Sequence, residues 1–128
     1  MQELQLYEYA IIRVVPRVER EEFINVGIVV FCKKTNYLDC KIYMNEGKLN
    51  CLDPGTDVES IKENLSAFEE IALGKENSRS AIAELDAASR FRWLTATRST
   101  IIQCSKVHPG LADEPCDVLN KLFQQMVM

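Results

Sequence analysis

Residues 24–32 read INVGIVVFC, and this segment constrains the fold more than any other. It is rich in β-branched and aromatic types, which marks it as a strand. It is also apolar at nearly every position, so both of its faces need cover from the rest of the chain.

The flanking segments supply neighbours for that strand. Residues 5–15 (QLYEYAIIRVV) form a first strand that stops at Pro16, which has no N–H to give to a central ladder. Residues 17–22 (RVEREE) are a charged connection, Lys34, Thr35 and Asn36 read as a turn, and residues 37–44 (YLDCKIYM) alternate as a third strand. Connections this short predict an antiparallel meander. A hairpin turning about Asn36 would set Cys32 opposite Cys40, with Cα atoms ~5 Å apart.

Helical patterns fill the remainder. After the turn residues DPGT at 53–56, Thr56 and Glu59 match a capping box. Val58, Ile61, Leu65, Phe68 and Ala72 follow at helical spacing, and Gly74 is placed to end the helix in a left-handed conformation. Residues 75–80 are a polar loop, and 81–90 carry a weaker helical pattern that leads into an apolar knot of Phe91, Trp93 and Leu94. Residues 98–105 (RSTIIQCS) read as a fourth strand, and 106–112, with Pro109 and Gly110, as a loop. Asp113 or Glu114 caps a last helix, with Pro115 near its first position and an apolar stripe from Val118 to Val127. No repeat or linker interrupts the chain. The expectation is a single α+β domain over residues 1–128: a three- to four-stranded, mainly antiparallel sheet with about three helices packed on it.

Composition narrows the function classes. With 47% hydrophobic and 27% charged residues, the chain has globular composition. At 128 residues it buries roughly two-thirds of its unfolded surface and needs no disulfide or metal to hold together. The net charge of −4 argues against nucleic-acid binding, although Arg13, Arg17 and Arg20 cluster locally, as do Arg90, Arg92 and Arg98. No apolar run approaches the ~20 residues of a membrane span, and the start of the chain carries no basic leader, so the expected location is the cytoplasm. The five cysteines, Cys32, Cys40, Cys51, Cys104 and Cys116, show no metal-type spacing and read as reduced, buried thiols. No metal or cofactor is expected: the five glycines are scattered, and no phosphate-cradling loop is present.

Catalytic patterns are weak. His108, the one histidine, would have to be the base of any triad, with Ser99 and Asp113 as partners. No glycine-flanked serine marks a nucleophile turn, which argues against that arrangement. More informative are polar residues set inside apolar runs. By alternation Arg13 shares a strand face with Tyr7, Tyr9, Ile11 and Val15, while Asn25 and Gly27 share one with Val29 and Phe31. Gly27 needs a bulge or a close approach to justify its place in a strand. Glu22 is positioned to pair with Arg13 across the hairpin, and Arg98, Ser99 and Gln103 lie in the fourth strand. A register-fixing polar network is the favoured reading for Arg13 and Asn25. For Arg98, Ser99 and His108, which border a loop, a structural role and an anion site are both open. Trp93 reads as a core anchor, with a partner hot spot as the other reading.

Two segments resemble a bacterial family catalogued as domain of unknown function 3037: YAIIRVVPRVEREEFINVGIVVFC (9–32) and FRWLTATRSTIIQCSKVHPGLADEP (91–115). The first carries the family's pattern at Arg13, Pro16, Glu22, Phe23, Asn25 and Gly27. The second carries it at Phe91, Trp93, Leu94, Arg98, Ser99, Gln103, His108 and Gly110. This chain has Thr97 and Pro109 where the family more often has Pro and Thr. The resemblance supplies no activity. Members are often encoded beside a kinase-like protein, which implies a non-catalytic module that binds that neighbour. The alternative expectation is a small enzyme or sensor that holds an anionic ligand through Arg13, Arg98 and His108.

Overall fold

The computed structural model describes residues 4–74, 80–98 and 100–128. Among these residues, five strands form one antiparallel sheet: β1 (Gln5–Val14), β2 (Ile24–Cys32), β3 (Tyr37–Ile42), β4 (Ile102–Cys104) and β5 (His108–Ala112). Four α-helices among the described residues accompany it: α1 (Glu46–Leu52), α2 (Val58–Leu73), α3 (Ala87–Thr95) and α4 (Pro115–Met126). The strand order is β3-β2-β1-β4, with β5 also on β1. The α+β class and the meander of the first three strands are as expected, with one strand and one helix more.

β2 is covered on both sides, as its composition requires; every residue from Val26 to Cys32 is buried. On one face Ala10, Ile12, Val14, Val29 and Phe31 meet Ile61, Leu65, Phe68 and Ile71 of α2 and Phe91 and Leu94 of α3. The Phe31 and Phe91 rings stack at 5.2 Å. On the other face Ile28 and Val30 meet Leu119, Leu122 and Phe123 of α4, together with Val127. Each such large side chain contributes about 1.5–3 kcal/mol by leaving water. The fourth helix lies mainly over β2 and β3, which leaves Tyr7, Tyr9, Ile11 and Arg13 of β1 half-buried.

Gly27 meets both of its expected conditions. The β1–β2 register shifts between Ile12, opposite Gly27, and Arg13, opposite Asn25, so Val26 is an extra residue in a bulge. A Cβ on Gly27 would lie 2.6 Å from the Lys41 carbonyl oxygen and 3.1 Å from Ile12 Cδ1. The bulge also reverses the phase of β2. Asn25 therefore leaves the Gly27–Val29–Phe31 face, where alternation alone had put it, and joins Arg13.

Several other expectations are corrected. Cys32 pairs with Tyr37, and Cys40 with Val29, not with each other. The turn takes all four residues from Lys33 to Asn36, with Asn36 left-handed at φ 53°, so the hairpin is centred earlier than Asn36. All five cysteines are free; Cys32 is buried, but Cys51 and Cys116 are exposed. The expected loop at 106–112 is largely strand β5. Pro109 and Gly110 conceal it, because an edge strand tolerates proline on its unpaired side. The α2 helix begins one residue later than the Thr56–Glu59 box implies: Asp57 Oδ1 accepts from Ser60 N at 3.2 Å, while the Thr56 hydroxyl donates to the Asp53 carbonyl. Gly74 does close α2 at φ 64°. The weak helix at 81–90 is a single turn of 3-10 helix followed by α3, which absorbs the Phe91–Leu94 knot and is capped by Asp86.

β4 and β5 act as one edge strand broken at Ser105. Three residues, Ser105 to Val107, stand opposite two, Ala10 and Ile11. Ser105 closes the gap with its side chain: its Oγ accepts from Ile11 N at 2.8 Å and donates to the Lys106 carbonyl at 2.9 Å. Its own N–H donates to Ile11 O at 2.8 Å.

Candidate functional site

Register places three polar side chains in one row across the sheet. Asn25 on β2 is opposite Arg13 on β1, and Arg13 is opposite Gln103 on β4. Paired residues point to the same side, so all three lie on the α4 face. The Arg13 guanidinium sits 4.1 Å from the centroid of the Phe23 ring. Asn25 Nδ2 donates to the Met126 carbonyl at 3.2 Å, which ties the row to the end of α4. Gln103 Nε2 donates to Thr100 O at 2.8 Å. Arg13 Nε and Asn25 Oδ1, a donor and an acceptor on paired residues, are buried without a partner among the described residues. Chemically the row can fix strand register and grip a carbonyl or an anion.

Arg98 lies on the opposite side of the sheet. It lines a cavity of about 530 Å³ whose other walls include Phe68 and Ile71 of α2, Trp93 and Leu94 of α3, and Ile101 and Ile102. Phe68, Ile71 and Leu94 belong to the core of the α2–α3 face. The Arg98 guanidinium is 4.3 Å from the Trp93 ring centroid, and its Nη2 donates to the Trp93 carbonyl. Trp93 is 40% exposed. It is therefore not the core anchor expected; α3 turns Phe91 and Leu94 inward and leaves the indole at the cavity mouth.

A family model described as "Protein of unknown function (DUF3037)" matches residues 9–127. The chain belongs to the DUF3037 family. No curated protein and no solved structure matches it. The match runs from within β1 to the residue after α4, so this DUF3037 domain holds both arginine environments within the family region.

The residues singled out in the sequence separate into groups. Arg13, Asn25 and Gln103 come together. His108 shares their face, since it is paired with Tyr9 and its ring lies 5.3 Å from the Tyr9 ring. It is four positions up β1 from Arg13, or ~13 Å at strand rise. Arg98 is cut off from them by the sheet. Glu22 is bound to Arg20 at 2.6 Å rather than to Arg13; the turn of 3-10 helix at Val18–Arg20 brings the nearer guanidinium round. Ser99 lies outside the described residues. A single anion held by Arg13, Arg98 and His108 together is therefore not what this fold builds.

Cys104 is the point at which the two arginine fields meet. Burial pushes its thiol up to about 12, against the opposing pull of Arg98 and Arg13. Burial also raises Cys40 to about 12. Both stay protonated at neutral pH and are poor nucleophiles and metal ligands. Among the described residues, no group of His, Cys, Asp and Glu is placed to hold a metal ion, and no helix is long and apolar enough to cross a membrane. Sequence reasoning missed Asn64 and Thr100, the cavity's uncharged polar members, and Phe23 as the platform under Arg13. The signal for Phe23 was weak: it is an aromatic residue directly before β2, and register pairs Arg13 with Asn25 rather than with it.

Proposed function

We propose that this DUF3037 domain is a non-catalytic binding module that docks on a protein partner through the ribbon formed by β1 and β5. The observation that supports this most is a leucine pair. Leu6 and Leu111 are register partners on the α2–α3 side, yet they are 60% and 62% exposed. Single exposed leucines are ordinary on protein surfaces. A cross-strand pair, with Leu4 exposed two residues ahead, supports reading this ribbon as an interaction surface, since apolar groups gathered in one exposed place mark such surfaces more often than single ones do. The opposite side of the same ribbon carries Tyr7 and Tyr9, half-buried with ring centroids 6.3 Å apart, and the exposed His108. Tyrosine is favoured at interfaces because it offers large area at low entropic cost.

The partner suggested by the family resemblance is the kinase-like neighbour. Placing charge on the patch with Leu6→Lys and Leu111→Lys tests the reading. The unaltered chain is expected to co-purify with that neighbour at micromolar concentration. The double variant should lose the complex while its unfolding midpoint stays in place, since both sites are already solvated. A neighbour that ignores the unaltered chain, or binds both forms alike, overturns the proposal.

A further inference from the structure

We infer that the Trp93–Arg98 cavity is a binding site for a small amphipathic monocarboxylate, an acid with an aliphatic or aromatic body. The inference is independent of the docking ribbon, which lies elsewhere on the sheet.

Size comes first. At about 530 Å³ the cavity falls within the range of small-ligand pockets, roughly 300–1,000 Å³. Its walls select the body of the ligand: Val18, Ala67, Phe68, Ile71, Leu94 and Ile102 offer only apolar surface. The mouth selects the head group. Arg98 is the one charged residue among the described lining residues, and among the described residues no carboxylate lies within ion-pair distance of it. Stacking on Trp93 and donation to the Trp93 carbonyl hold the guanidinium in one orientation. A fork held in place before binding loses little entropy when it grips a planar carboxylate through paired N–H donors. Asn64 and Thr100 add polarity without charge.

Charge decides between anions. One guanidinium balances one negative charge, and a phosphate dianion would bring a second into a chain whose net charge is already −4. A cationic ligand is excluded by the same geometry, because Arg98 already occupies the indole face that would attract it.

Trp93 is the only tryptophan in the chain, so its fluorescence reports on the cavity mouth directly. The intact protein is titrated with decanoate, 1-decanol and decyltrimethylammonium below their aggregation concentrations. Decanoate should give a saturable change, with decanol at least roughly tenfold weaker and the cation showing none, as expected for loss of a charge-assisted contact. Arg98→Gln should weaken decanoate by a similar factor and leave decanol unchanged. Arg98→Lys, which keeps the charge but not the fork, should fall between. Equal binding of decanoate and decanol, an unaffected Arg98→Gln or Arg98→Lys variant, or no saturable change with decanoate would each overturn the assignment.

Discussion

Two arginines of this domain lie over aromatic rings at nearly the same distance: Arg13 over Phe23 at 4.1 Å and Arg98 over Trp93 at 4.3 Å. Their surroundings differ. Arg13 is fixed between two strands, flanked by Asn25 and Gln103, with its Nε buried. Arg98 follows a helix, reaches the mouth of a cavity and faces apolar walls across it. The same pair of groups thus stands in two different settings. In the sheet row, the guanidinium rests on Phe23 with Asn25 and Gln103 as its register neighbours. At the cavity mouth, the guanidinium offers N–H donors, and the proposed carboxylate site rests on them. Burial and neighbours decide the role, and residue type does not.

The largest expected effect comes from the bulge that assembles the Arg13 row. Gly27→Val would drive Cβ into the Lys41 carbonyl oxygen at 2.6 Å, a backbone atom that cannot step aside. We expect a loss of about 3 kcal/mol or more in urea unfolding. Asn25 would lose its place beside Arg13, while the cavity walls on α2 and α3 are not touched directly. A change below about 1 kcal/mol would mean that the bulge is not what holds the row.

A third arginine sharpens the contrast. Arg90 Nη1 donates to the Ile71 and Ala72 carbonyls at 3.0 and 2.8 Å, and its Nε to the Leu85 carbonyl at 2.9 Å. The Ile71 and Ala72 carbonyls lie in the last turn of α2, where helical donors run out, and Ile71 O also accepts from Gly74 N at 3.2 Å. Arg90→Met keeps the stem and removes three donations. It should cost about 2 kcal/mol, because hydrogen bonds from charged donors are each worth roughly 1.5–3 kcal/mol, less where solvent competes. Chemical denaturation measures this, and no loss would show that the carbonyls are equally well served by water.

Much of the architecture could be read from the chain. The doubly covered β2, the α2 helix with its Gly74 terminus and the amphipathic α4 all follow from local pattern. What could not be read depended on register. A single extra residue, Val26, reverses the phase of β2 and carries Asn25 to the other face, and alternation counted from Phe31 cannot detect that. The β2–β3 turn is four residues long rather than tight, which moves Cys40 away from Cys32. β5 was hidden because Pro109 and Gly110 suit an edge strand as well as a loop. Composition pointed to Trp93 as core, but the position of α3 over Phe31 spends its buried face on Phe91 and Leu94. The candidate residues were legible one by one. Their division between two faces was not, since that division is a property of the sheet.

The proposed division between Arg13 and Arg98 is tested most directly by a crossed comparison. Arg13→Ala and Arg98→Ala are each assayed for unfolding free energy and for decanoate affinity by Trp93 fluorescence. Arg13→Ala should lose about 2 kcal/mol of stability, from the packed stem and the ring contact, with affinity unchanged. Arg98→Ala should lose no more than about 0.5–1 kcal/mol, from one exposed ring contact, with affinity down roughly tenfold or more. Equal stability losses, or an affinity loss in the Arg13 variant matching that in the Arg98 variant, would contradict the account.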